Sequence, residues 1–131
     1  MQVVIVDFGS GNIKSLYTSL EKSKENLNNV KIVVSNNSYD IKNSDKVILP
    51  GVGTYPDCKK GLESIAGLTD ALEETVKVKG RPFLGICVGM QLMSTVGLEN
   101  GKTEGLNWIP GQVVPIKPGL MNHGTLKKPK I

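Results

Sequence analysis

The sequence predicts an α/β fold, an open and mostly parallel sheet with helices on both faces. Short apolar runs recur along the 131 residues, stretches of helical spacing separate them, and glycine turns close the strand ends. Val3 to Val6 is a β-branched run ended by Asp7-Phe-Gly-Ser-Gly11, which reads as a buried strand and a tight turn. Ile13, Leu16, Tyr17 and Leu20 then repeat at helical spacing, with Asn12 or Ser10 as the N-cap. Val30 to Val34 is a second strand. The Asn, Ser and Asp cluster from Ser35 to Asp45 is a loop with room for one helical turn. Lys46 to Leu49 is a third strand, which Pro50-Gly-Val-Gly53 breaks.

Leu62, Ile65, Leu68, Leu72 and Val76 predict one or two helices interrupted near Gly67. Phe83 to Ile86 is the next strand, and Cys87 to Met93 continues as a helix. Beyond Gly97 the apolar pieces are cut by Pro110, Gly111 and Pro115, and Gln112 to Ile116 is the one expected strand. No repeat or low-complexity segment occurs. The whole reads as a single domain over residues 1–131.

Composition narrows the function. The apolar content of 39% is that of a globular chain, and no run approaches the ~18 residues a membrane span needs. No targeting signal is visible, so the cytoplasm is the expected location and no membrane partner is expected. Sixteen basic residues against 12 acidic ones give a net charge of +4. The excess is localised in Lys117, Lys127, Lys128 and Lys130, since no acid follows Glu104. With 5% aromatic residues and no basic residues interleaved with them, a nucleic-acid partner is not expected. Cys58 and Cys87 form no C-x-x-C pair, so neither a disulfide framework nor a metal site is indicated, and no cofactor is implied.

The segment richest in chemistry is Phe83-Leu-Gly-Ile-Cys-Val-Gly89. A G-x-C-x-G pattern between a strand and a helix is the cysteine form of the nucleophile elbow, in which a sharp turn lifts the sulfur above the sheet edge. Gly85 and Gly89 flank the turn where a side chain collides with neighbouring backbone. A thiolate is the attacking species, and a helix N-terminus beside it favours negative charge. Taken alone, the same cysteine also fits a buried strand end; the strand-to-helix context favours the nucleophile.

Pro50-Gly51-Val52-Gly53 ends a neighbouring strand on the same edge. An amide at Val52 or Gly53, with the N–H of Val88 after the nucleophile, makes an oxyanion hole; taken alone, the same four residues are an ordinary turn. Gly9-Ser-Gly11 begins like a dinucleotide fingerprint, but Lys14 stands where the third glycine belongs. Cys58 reads as a packing residue. His123 is the single histidine and lies in a glycine-bounded stretch without an acid nearby, a poor base for Cys87.

Together, Val-Asp-Phe-Gly-Ser-Gly-Asn12, Leu-Pro-Gly-Val-Gly53, Leu-Gly-Ile-Cys-Val-Gly-Met-Gln-Leu92 and Glu-Gly-Leu-Asn-Trp-Ile-Pro-Gly-Gln-Val-Val114 resemble the class I (triad) glutamine amidotransferases. Within that family they resemble the glutaminase subunits of imidazole glycerol phosphate synthases. The resemblance runs from Met1 to about Pro115 and implies a flavodoxin-like sheet. It implies that Cys87 attacks the carboxamide of glutamine, giving a glutamyl thioester and ammonia, and that Gln91 helps hold the substrate. Val52, Gly53 and Val88 then lie at the oxyanion hole. The implied partner is a cyclase subunit with a (β/α)8 barrel that receives the ammonia, and Gly11 and Asn12 face it.

One departure stands out. The family carries its histidine base and orienting glutamate in a His-Pro-Glu type motif, and this sequence has none. The expectation is therefore a chain that resembles the N-terminal part of the family, lacks the end of the domain, and turns over little glutamine by itself. A non-catalytic flavodoxin-like binding module, with Cys87 as a relic, and a nucleotide-binding domain using the Gly9 to Gly11 turn are the competing classes.

Overall fold

The computed structural model describes residues 1–117. Four strands, β1 (Gln2–Val6), β2 (Lys31–Ser35), β3 (Lys46–Gly51) and β4 (Phe83–Cys87), form a sheet in the order β2-β1-β3-β4. All three pairings are parallel, so every connection must cross over a face of the sheet. The expected α/β architecture is present.

Side-chain alternation along β1 divides the interior. Val4 and Val6 face the larger core, and Val3 and Ile5 face the smaller one with Ile32 and Ile48. Helix α1 (Ile13–Ser23) covers the smaller core with Ile13, Leu16 and Leu20. Its N-cap is Asn12, whose Oδ1 accepts from the Ser15 N–H at 3.2 Å, which leaves Ser10 for another task. The other face carries α2 (Ser38–Lys42), α3 (Tyr55–Glu63), α4 (Leu68–Leu72) and a one-turn α5 (Val88–Gln91). Ile41, Tyr55, Leu62, Leu68, Leu72 and Leu92 are fully buried there. The break expected near Gly67 separates α3 from α4, and α4 runs on into a π-helical turn, Glu73–Val78. No helix among the described residues is long and apolar enough to cross a membrane.

Three expectations need correction. Strand β3 runs through Pro50 and Gly51 instead of stopping at Leu49. Its ladder with β1 ends at Ile48, so the missing N–H of Pro50 costs no bond on that side. The helix expected to reach Met93 ends at Gln91. Past it, the carbonyls of Leu92 and Met93 accept from Leu106, Trp108 and Ile109 at 2.7–2.9 Å, and these distant partners replace further helical turns.

The third correction concerns the region after Met93, where a second sheet forms from β5 (Ser94–Gly97), β6 (Thr103–Glu104) and β7 (Ile109–Val113) in the order β6-β5-β7. Strand β7 lies earlier than the expected 112–116. It tolerates Pro110 and Gly111 because its register with β5 shifts between Ser94 and Val96, and a bulge at that place absorbs the extra residue.

Candidate active site

In an open parallel sheet the C-terminal ends of the strands form the edge that binds ligands, above all where the strand order reverses. Here that reversal lies between β1 and β3. Three strand ends meet there: the turn after β1, the Pro50–Gly53 segment after β3, and Cys87 at the end of β4.

Cys87 occupies a true elbow. Its backbone adopts φ 55° and ψ −121°, a conformation that L side chains rarely accept and that persists only where the surroundings impose it. The surroundings are tight. A Cβ on Gly85 stands 2.6 Å from the Met90 Cα, and one on Gly89 runs into the Leu49 carbonyl oxygen. Strand β4 can therefore turn into α5 only with glycine at both places. The Cys87 side chain is exposed, whereas Cys58 is buried.

The segment after β3 is held from two sides. Gly51 pairs with Cys87 in register, and a Cβ on Gly51 stands 2.9 Å from the Gly89 nitrogen, so the segment lies against the first turn of α5. On its other side the Ser10 hydroxyl accepts from the Val52 N–H at 2.9 Å and donates to the Val52 carbonyl at 2.8 Å. The Cys58 thiol donates to the same carbonyl at 3.1 Å. Neither role was visible in the sequence, where Ser10 read as a cap and Cys58 as packing. The cysteine is indeed 2% exposed, and its polar contact adds to that packing.

A groove of about 160 Å³ opens at this edge, lined by Gly11, Asn12, Val52 and Cys87 over an apolar floor of Leu16 and Ile86. The structure thus brings four of the sequence-derived site residues to one groove, joining the turn expected to face a partner to the cysteine expected to be the nucleophile. Gly53 and Val88 flank it along the chain, next to Val52 and Cys87. Val88 is the first residue of α5, where backbone N–H groups have no partner inside the helix. Gln91 closes that single turn and is half-buried outside the groove lining. His123 lies outside the described residues. No group of residues suited to a metal ion occurs among the described residues.

A model of the family described as Glutamine amidotransferase class-I matches residues 4–119. The chain belongs to the class I glutamine amidotransferases. Among curated amidotransferase relatives, the imidazole glycerol phosphate synthase subunit HisH of Rhodopseudomonas palustris is 51% identical over 119 residues, covering 90% of this chain and 55% of the relative. The subunits of the same name from Brucella suis and Rhizobium meliloti are 44% and 42% identical over 132 residues, covering 100% of this chain and 60% of each relative. The chain therefore spans 55% to 60% of the length of these relatives, and the elbow and the Pro50–Gly53 segment both lie within the residues that the family model matches.

Proposed function

We propose that this chain forms a single glutamine amidotransferase domain of the glutaminase subunit of imidazole glycerol phosphate synthase, in histidine biosynthesis, acting in the cytoplasm. The observation that carries the reading is the strained backbone of an exposed Cys87 between two glycines that cannot be replaced without a clash. A fold holds such a conformation at a functional cysteine more readily than at a packing one.

In the proposed reaction the Cys87 thiolate attacks the carboxamide carbon of glutamine, and the carbonyl oxygen takes the negative charge. The N–H of Val88 and an amide of the Val52–Gly53 segment stabilise that oxyanion. Collapse breaks the C–N bond and releases ammonia, the leaving nitrogen taking up a proton. Water then hydrolyses the γ-glutamyl thioester to glutamate and returns the thiol. Gln91 helps hold the glutamine. Gly11 and Asn12, on the same groove as the nucleophile, face a (β/α)8-barrel cyclase that receives the ammonia and makes imidazole glycerol phosphate and aminoimidazole carboxamide ribotide. The base for Cys87 is not assigned among residues 1–117, and the partner is needed for the overall reaction.

Substrate protection tests the reading. Glutamine is expected to slow alkylation of Cys87 by iodoacetamide, read by peptide mass mapping, while asparagine, one methylene shorter, leaves the rate unchanged. Equal rates with and without glutamine contradict a glutamine site.

A further inference from the structure

The structure assigns Asn100 as a self-modifying residue, which loses its side-chain amide to attack by the backbone nitrogen of Gly101 and becomes aspartate or isoaspartate. Neither residue lines the groove at Cys87, so this chemistry stands apart from the proposed glutaminase activity. Attack by the next residue's nitrogen on an asparagine Cγ closes a five-membered ring, and a glycine there has no side chain to block the approach. Asn100-Gly101 is the single Asn-Gly pair in the sequence.

The loop leaves both partners free to react. It connects the antiparallel strands β5 and β6, and Asn100, Gly101 and Lys102 are all exposed. Asn100 and Gly101 have φ of 53° and 103°, both positive as a tight Asn-Gly turn requires. Among the described residues, however, no backbone hydrogen bond closes this turn or engages the Gly101 N–H. Nothing lies within 4 Å of the place where a Gly101 Cβ would stand, so the nitrogen is also sterically open. Asn37 and Asn43, each followed by serine, are the nearest competitors, and both are held. The Asn37 Oδ1 accepts from the Tyr39 N–H at 2.8 Å. The Asn43 Nδ2 donates to the Tyr39 carbonyl at 2.8 Å, and the Ser44 nitrogen next to it is engaged with the Ile41 carbonyl at 3.2 Å.

In the step itself the Gly101 nitrogen bonds to the Asn100 Cγ, the Cγ–Nδ2 bond breaks, and the amide leaves as ammonia with the Gly101 proton. Water then opens the succinimide. Cleavage of the new N–Cγ bond leaves aspartate. Cleavage of the original peptide bond leaves isoaspartate, whose main chain runs through Cβ and Cγ and is longer by one atom. Either product sets a carboxylate next to Glu99 in the chain. The longer main chain also enters a connection whose flanking ladder rests on the pairs Val96–Glu104 and Gly97–Thr103.

The test incubates the full chain at neutral pH in native buffer and, in parallel, unfolded in guanidinium. Peptide mass mapping follows conversion of Asn100, and isoaspartate is counted by methyl transfer from S-adenosylmethionine with a purified isoaspartyl methyltransferase. Native conversion at Asn100 is expected to run within about tenfold of the unfolded rate, because a loop without closing bonds opens at little cost. In Asn100→Gln, whose longer side chain must close a six-membered ring, methyl acceptance is expected to be lost in both conditions. Native conversion slower than that limit overturns the open loop as the reactive site. Methyl acceptance retained in Asn100→Gln, or native conversion mapped first to Asn37 or Asn43, overturns the assignment to Asn100.

Discussion

At Cys87 the backbone and the side chain make opposite demands. The φ of 55° suits glycine, yet the nucleophile we propose requires a side chain, so the fold carries local strain of order 1–3 kcal/mol at this residue. Cys87→Gly is expected to raise stability by about 1 kcal/mol in urea unfolding, whereas Cys87→Ala, which removes the sulfur and keeps the Cβ, leaves the strain in place. Equal stabilities of the two variants would show an unstrained elbow. Gly85 and Gly89 were legible because their spacing around a cysteine has a steric meaning. Ser10 and Cys58 were not, because a serine between two glycines fits a cap, a turn or a clamp equally well. Their shared partner Val52 is 42 residues from one and 6 from the other.

Among the elements, the small second sheet was the part that local sequence described least. Strand β5 is only Ser94–Gly97, and its pairing with β7 brings together residues whose own preferences, at Pro110 and Gly111, argue against a strand. Long-range pairing decided the outcome at both places, ending α5 and installing β5. The parallel sheet was legible for the opposite reason, since Val3 to Val6 and Lys46 to Leu49 carry their β-branched and apolar signal within the strand itself. The two sheets are joined through Tyr55, which is fully buried and whose hydroxyl lies 2.9 Å from the Ser94 Oγ. A Cβ on Gly97 stands 2.5 Å from the Tyr55 ring. Gly97→Ala is therefore expected to cost about 1–3 kcal/mol in urea unfolding, the range for overpacking a core. In the Tyr55→Ala background the cost should shrink, because the Cγ and Cδ atoms it meets are gone; strictly additive effects would show that the two residues do not share a boundary.

Across the whole molecule, the crossover connections gather chemistry from distant parts of the sequence onto one sheet edge. Residues 7–12, 50–53 and 87–91 are far apart along the chain, and the order β2-β1-β3-β4 makes them neighbours. The groove is lined by Gly11, Asn12, Pro50, Gly51, Val52 and Cys87 with Leu16 and Ile86, none of them an acidic or basic residue. The central claim is that this edge is a glutamine site with Cys87 as its nucleophile. Reaction of the folded chain with the glutamine-like electrophile diazo-oxo-norleucine, followed by intact mass and peptide mapping, tests it most directly. One adduct on Cys87 with Cys58 unmodified is the predicted result; no adduct, or equal labelling of Cys58 in the folded chain, would contradict it.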